Sequence, residues 1–273
     1  MDRRTFVRTG GLSAIALASG ACRIRNRAMR TTLLIAGSKT VLPLVAALTE
    51  AFAKERPNID IVAEGGGSTP GLVAVTRGAV DLGMMVRDLQ GNEGDDLEIR
   101  TVLIAKDAMG IVVHPSNSVS DLKPEIIRGI FEGRITRWEE VAGAGKGPIN
   151  LASRKAKAAG LKGFEDLVLT GKEVHRSATR YGSPDELRRA VSTDPAAIGF
   201  LALNDFQPTV KAVKVSGVAM SREAILIDRF PYSRPFFLAM NGQPRAAVKE
   251  FVDFCTSVTG QEIVSSRDLV RVY

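Results

Sequence analysis

Aromatic residues are scarce in this 273-residue chain, at 5%. Binding a single nucleic-acid strand needs aromatic platforms for successive bases, so no such surface is expected. Cysteine is scarcer still, with Cys22 and Cys255 alone. Histidine also numbers two, and His114 and His175 stand far apart in no metal-ligand spacing. No metal site and no cofactor are expected. No nucleophile elbow, Walker loop or zinc motif occurs. The acidic pair Glu139-Glu140 reads as solvated surface, and the chain is not expected to be an enzyme. Low-complexity tracts and solenoid-period repeats are missing as well.

What is there is an ordinary globular mixture, 45% hydrophobic and 25% charged, enough for one large domain or two modest lobes. The net charge of +7 is unevenly spread. Residues 1–30 hold seven arginines and one acid, which leaves +1 for the rest. The body therefore lacks the basic face that a nucleic-acid partner would require.

The N-terminus reads as an address. Asp2-Arg3-Arg4-Thr5-Phe6-Val7-Arg8 is a twin-arginine pattern, and the apolar run Gly10–Ala21 is too short to span a bilayer. Ser19-Gly20-Ala21-Cys22 resembles a bacterial lipobox, with Ser19 where an aliphatic residue is commoner. Residues 1–30 are thus expected to be a Tat-like export signal with a basic flank, and Cys22 a lipidation site. The alternative is a buried N-terminal helix, for which no polar cap flanks the run. Cleavage before Cys22 would set Arg23, Arg25, Arg27 and Arg30 beside the lipid, where basic residues help a single acyl chain hold a membrane surface. The expected location is the periplasm or cell envelope. Cys255 would then stand alone, and it reads as a small buried hydrophobe.

The body alternates strand and helix. Thr31–Ala36 reads as a strand. A helix with Leu44, Val45, Leu48 and Phe52 at helical spacing follows Pro43 and ends at Arg56-Pro57. Ile59–Val62 is a strand, Ser68 could cap a helix over Leu72 and Val75, and Val80–Met85 is a third strand. Thr101–Ala105 and Met109–Val113 are two more. Later strands are expected at Ile149–Ala152, Ala197–Leu203, Val213–Val215, Ile225–Ile227 and Phe236–Met240. Helices are expected at Pro124–Glu132, in the Ala152–Asp166 stretch with Phe164, Leu167 and Val168 on its apolar face, at Pro184–Val191 and at Pro244–Val258. Trp138 reads as core. Such alternation implies a parallel sheet, with binding at the carboxyl ends of its strands.

Seven motifs, in order over residues 33–273, carry a resemblance. Gly37-Ser38-Lys39-Thr40-Val41-Leu42-Pro43-Leu44 resembles G-S-T-x-V-x-P-L, and Gly66-Gly67-Ser68-Thr69-Pro70-Gly71 resembles G-G-S-x-x-G. Val80-Asp81-Leu82-Gly83-Met84-Met85-Val86-Arg87 resembles V-D-I-G-x-x-S-R. Ile130 to Trp138 resembles I-F-x-G-x-I-x-x-W. Ala197-Ile198-Gly199-Phe200, Pro231-Tyr232-Ser233-Arg234-Pro235 and Gly260-Gln261 fall where later segments lie. These motifs are those of the phosphate-binding proteins (PstS type) of ABC importers. The resemblance implies an α/β, periplasmic-binding-protein-like fold (type II), with two lobes, a hinge and a ligand cleft. Lobe 1 would hold residues 31–113 plus 225–273, and lobe 2 residues 114–224. The implied partners are inorganic phosphate or a related oxyanion and an importer permease, and the implied state is a monomer.

The family holds its anion with hydroxyls and backbone N–H groups at helix N-termini, helped by an arginine. Ser38, Thr40 and Ser68 stand at the matching turns, with Lys39, Gly67 and Arg87 beside them. In lobe 2 the family reads R-E-x-x-S-G-T-x-x-x-F-E, and Arg154, Phe164 and Glu165 are in register. The S-G-T has become Ala158-Ala159-Gly160, Val86 replaces a serine, and Lys39 a threonine. Each hydrogen bond lost to a charged ligand costs about 1.5–3 kcal/mol. Two readings stand open. Backbone donors at Ala158-Ala159-Gly160 survive, and Lys39, Lys155 or Lys157 supplies charge to a different or larger anion. Or the pocket has decayed, and the chain is an envelope scaffold or signalling protein. For the lysines the alternative is a solvated helix face, and for Arg87 a salt bridge within the first lobe.

Overall fold

The computed structural model describes residues 30–91, 93, 98–156 and 158–273. The expected export signal, Cys22 and Lys157 lie outside them.

Strand β1 (Thr31–Gly37) leads to helix α1 (Leu42–Glu55), β2 (Ile59–Gly65), α2 (Ser68–Thr76) and β3 (Leu82–Met85). Pro43 sits in the first turn of α1, where its missing N–H would have no helical partner. Leu44, Val45, Leu48 and Phe52 form the buried stripe of that helix. β1 pairs in parallel with β2 (Leu33↔Ile61) and with β3 (Ile35↔Leu82). Helix α2 lies hard on the end of β1. A Cβ on Gly71 would stand 2.5 Å from Gly37 Cα and 2.7 Å from the Ala36 carbonyl oxygen, so only glycine allows the approach.

β4 is one strand over Ile99–Val113, where the sequence predicts two. Lys106 and Asp107 interrupt the apolar run, yet both side chains are buried with partners. Lys106 Nζ donates to the carbonyl oxygens of Ile225 and Leu226 and to Asp228 Oδ2 at 2.6 Å. Asp107 accepts from Arg234. Because these charges are met, the strand continues through them.

The chain continues with β5 (Asp121–Leu122), α3 (Pro124–Phe131), β6 (Asn150–Arg154), α4 (Ala159–Leu167), β7 (Thr179–Tyr181), α5 (Pro184–Thr193) and β8 (Ala197–Ala202). A 3₁₀ turn, Leu203–Asp205, precedes β9 (Lys211–Val215), α6 (Arg222–Leu226), β10 (Ser233–Asn241), α7 (Ala246–Thr256) and α8 (Val258–Ser265). Ile225–Ile227, expected as a strand, falls on α6 instead. Ser221 caps that helix by accepting from the Ala224 N–H, and the Lys106 ammonium meets its last carbonyls. The closing helix expected over Pro244–Val258 is α7, and α8 follows it because Ser257 caps a new helix by accepting from the Gly260 N–H.

The strands form a ten-stranded sheet whose main path runs β2-β1-β3-β10-β4-β8-β6-β7, with β9 paired to β4 and β5. Two main cores flank it. One gathers Leu33, Leu48, Phe52, Leu82, Phe236 and Phe251. The other gathers Ile111, Phe131, Trp138, Phe164, Phe200 and Tyr232. β4 feeds both, with Ile104 and Ala105 in the first and Met109 and Ile111 in the second. In the second core the Phe164 and Phe200 rings stack 3.8 Å apart. Trp138 is core, its Nε1 donating to the Ala196 carbonyl at 3.1 Å. Among the described residues no helix is long and apolar enough to cross a membrane.

Candidate functional site

Strand direction concentrates backbone ends at one place. β1, β2 and β3 run parallel, so their carboxyl ends share an edge. β10 runs antiparallel to β3 and β4 and brings Ser233–Phe236 to that edge, opposite Ala105–Ala108. On the other side β8 runs antiparallel to β4, setting Ala202 opposite Met109, and β6 runs parallel to β8. Both sets of strand ends thus face the Lys106–Met109 stretch of β4. A cavity of about 220 Å³ lies there. The turn before α1, the strands β4 and β10, helix α4 and the C-terminal segment after α8 wall it. Such crevices at strand carboxyl ends are where open α/β sheets bind ligands.

Lys39 and Thr40 line the cavity. Ser38, beside them, is 4% exposed. Its N–H donates to the Met84 carbonyl at 2.8 Å, and its own carbonyl accepts from the N–H groups of Val41 and Leu42. Its Oγ accepts from the Thr40 N–H at 3.2 Å, so the hydroxyl proton is left for another acceptor. The Gly66 and Gly67 N–H groups both donate to the Gly37 carbonyl, at 2.6 and 2.8 Å. Gly67 therefore spends its donor within the fold. Ser68 is the first residue of α2, and its side chain does not cap that helix. Its Oγ accepts from the Val86 N–H at 3.2 Å, tying the helix to the end of β3. Asp81, of the same motif as Arg87, accepts from the Leu34 N–H and pairs with Arg245 at 2.7 Å.

Arg87 is not brought to the cavity. Its guanidinium pairs with Glu93 at 2.6 and 2.9 Å and donates to Thr69 Oγ1 at 3.1 Å. Arg87, with the Gln90 N–H, holds the Glu93 carboxyl down at about 2.

On the facing side, Arg154 ends β6. Its Nη2 donates to the Gly182 carbonyl at 3.2 Å, and its Nε is buried without a partner among the described residues. Burial pushes Asp205 up to about 6, with the Asp268 charge adding to it and Arg154 opposing. Burial raises Asp268 too, again opposed by Arg154. The Leu203–Asp205 turn is fastened to the C-terminal segment, where Asn204 Nδ2 donates to the Leu269 carbonyl at 2.9 Å. Arg154 thus lies between carboxylates from two separate stretches of chain.

Ala158 precedes the first turn of α4 and offers no side-chain cap. Its N–H donates to the Lys155 carbonyl, and its carbonyl accepts from Leu161 and Lys162. Ala159 and Gly160 open the helix, where backbone N–H groups lack intrahelical partners, and Gly160 lines the cavity. Lys155 is exposed.

Sequence reasoning missed six charged residues on the cavity wall, Arg267 and Asp268 after α8 and four that are linked to one another. Asp107 is buried and accepts from Arg234 at 2.8 Å (Nη2) and 3.1 Å (Nε). Burial raises the Asp107 carboxyl, and Arg234 opposes that rise. Arg234 also faces Asp166 of α4 at 3.8 Å, and Lys162 closes the chain of charges by pairing with Asp166 at 2.6 Å. The signal was there in part: Asp107 breaks an apolar run, and Arg234 belongs to a matched motif.

Among the described residues no cluster of His, Cys, Asp or Glu is arranged to hold a metal. His114 Nδ1 accepts from the Ser116 N–H at 3.1 Å, a local turn contact. Cys255 is buried and its thiol is pushed well up by burial, so it is an inert core residue.

A family model described as the PBP superfamily domain matches residues 26–259. The chain is 28% identical to the phosphate-binding protein PstS of Bacillus subtilis over 246 residues, covering 88% of this chain and 81% of that protein. It is 24% identical to the PstS of Borreliella burgdorferi over 250 residues, covering 87% and 89%. Among solved structures, an ABC-type phosphate transport receptor from Vibrio cholerae superposes with a TM-score of 0.64 at 26% identity, covering 87% of this chain and 99% of that one. A Clostridium perfringens protein solved with bound phosphate is 30% identical, with a TM-score of 0.52, covering 89% of this chain and all of the other.

Proposed function

The chain belongs to the PBP superfamily and is of the PstS type, and from that premise we propose that it captures phosphate or a related oxyanion in the β4–β10 cleft. The carrying observation is the convergence there of the turn before α1 and the first turn of α4, with the Arg154 charge acting on Asp268 of the cavity wall. In this proposal the Ser38 and Thr40 hydroxyls donate to the anion from one side. Ser68 donates its remaining proton from the start of α2. Backbone N–H groups at Ala159 and Gly160 donate from the other side, beside Ala158. Arg154, with its buried Nε unpartnered among the described residues, supplies positive charge together with Lys39. Neutral donors and helix ends suit a small anion because they stabilise charge without needing equal counter-charges.

The proposal extends to cell biology. The protein is exported, held at the membrane through Cys22, acts as a monomer in the periplasm or cell envelope, and hands its anion to an importer permease without catalysing a reaction. Two lobes, 31–113 with 225–273 and 114–224, close about a hinge. The membership of the two cores argues for a hinge near Asp107 in β4 and Arg234 in β10, which moves Met109–Val113, Ile225, Phe230 and Tyr232 from the first of these lobes to the second.

A second reading, an envelope scaffold or signalling protein of the same fold, draws support from one pairing: Arg87 is held by Glu93 rather than turned to the cavity. Thermal denaturation with and without phosphate separates the two. Phosphate at a hundred times its Kd stabilises the fold by about 2.7 kcal/mol, several degrees for a chain of this size. No shift with phosphate, sulfate, molybdate, phosphonates or organic phosphates would favour the scaffold.

A further inference from the structure

We propose that the cleft prefers a singly substituted phosphoryl oxyanion, an organic phosphate monoester or phosphonate with an apolar substituent, over inorganic phosphate. This rests on the oxyanion reading above and names its substrate class.

The cleft offers more room than the smaller ion fills. At about 220 Å³ it is worth roughly seven waters, taking ~30 Å³ for each. Inorganic phosphate has five heavy atoms and would leave much of that space to solvent.

The walls are also of two kinds. Lys39 and Thr40 line the cavity at the turn before α1, and Gly160 lines it at the start of α4. Leu44, Met109, Phe236 and Leu269, each buried in the fold, add apolar wall alongside its charged residues. A phosphate ion carries oxygen at every corner. An oxygen turned to a carbon wall loses water and gains no donor, which weakens binding by about five- to a hundredfold. A carbon substituent at that corner removes the penalty and buries apolar surface instead.

Charge on the wall points the same way. Asp107 and Asp166 are held by Arg234 and Lys162. Lys39 and Arg267 have no ion-pair partner among the described residues and neither has Asp268, so the wall keeps one cation in excess for an anionic head. The start of α4 supplies room as well as backbone donors. A Cβ on Gly160 would meet nothing nearer than Met109 Cε at 4.0 Å, so the space beside Met109 stays open. Hydroxyls at Ala158 and Gly160 would have served a fourth oxygen. Their absence suits a ligand with three.

Isothermal titration of the full chain with inorganic phosphate, methyl phosphate, n-butyl phosphate and phenylphosphonate tests this. Affinity should rise about fourfold for each methylene buried until the cavity is filled. Butyl phosphate and phenylphosphonate should each bind at least tenfold more tightly than inorganic phosphate. Met109→Ala should cut the butyl-to-methyl ratio at least threefold, and the ligand series on the unaltered chain decides the matter if that variant does not fold. Inorganic phosphate binding more tightly than every substituted compound would overturn this inference and leave the oxyanion reading standing. Equal affinity along the ester series would also overturn it. Heat from none of the four would overturn both.

Discussion

Arg234 holds the buried carboxylate of Asp107 at 2.8 and 3.1 Å, joining β10 to β4 across 127 positions of sequence at the floor of the cleft. The two side chains are only 14% and 7% exposed. Removing one partner of a buried pair leaves a charge with neither water nor counter-ion. Arg234→Met is therefore expected to cost about 3–5 kcal/mol in chemical denaturation. Arg234→Met with Asp107→Ala should cost less than the single change. A single variant within 1 kcal/mol of the unaltered chain would show that the pair is solvated in solution.

Asp205 should make stability depend on pH, with a sign that burial fixes. Its folded value of about 6 lies above the model carboxylate value of 3.8. Between those limits the folded chain holds a proton that the unfolded chain has lost, so this group favours folding as pH falls from about 6 toward 4. Above about 6 it is charged in both states and its burial is a penalty. Asp205→Asn should raise the melting temperature at pH 7.5 and lose that advantage near pH 4. Glu93, held near 2, is present in both chains, so its own pH dependence cancels in their difference. A difference that grows toward acid pH would contradict the assignment.

Gly71→Ala should be costly although it adds a single methyl. The new carbon would collide with Gly37 Cα and the Ala36 carbonyl, both backbone, so α2 must lift from β1. Overpacking of this kind costs about 1–3 kcal/mol. Because α2 carries Ser68, phosphate affinity should fall with stability. Denaturation and titration of the same preparation check both, and a variant of unchanged stability would show that α2 is loosely seated.

The strand–helix alternation of residues 31–85 was legible because apolar runs there are bounded by Gly, Ser and Pro, and each strand buries its own residues. Legibility ended where distant partners decide. Lys106 and Asp107 look like a break until Asp228 and Arg234 arrive from more than a hundred positions away. Thr179–Tyr181 carries no strand signal of its own and is ordered by pairing with β6. Ile225 and Ile227 are β-branched, but the Ser221 cap and the Lys106 ammonium select a helix. In the cleft, the motifs led to Lys39, Thr40 and Gly160, which line the cavity, and to Ser38 beside it. They could not show that Arg87 faces Glu93, or that Arg154 lies among Asp205 and Asp268. Those arrangements depend on loops and on the C-terminal segment, whose path no local pattern encodes.

The most direct test of the central claim is the affinity of the full chain for inorganic phosphate and n-butyl phosphate, measured by calorimetry before and after Arg154→Ala. A charged hydrogen-bond partner is worth about 1.5–3 kcal/mol, so the variant should bind either compound roughly ten- to a hundredfold more weakly while its fold is retained. Unchanged affinity in a folded Arg154→Ala protein, or no binding of either compound by the unaltered chain, would contradict an oxyanion site built on this arginine.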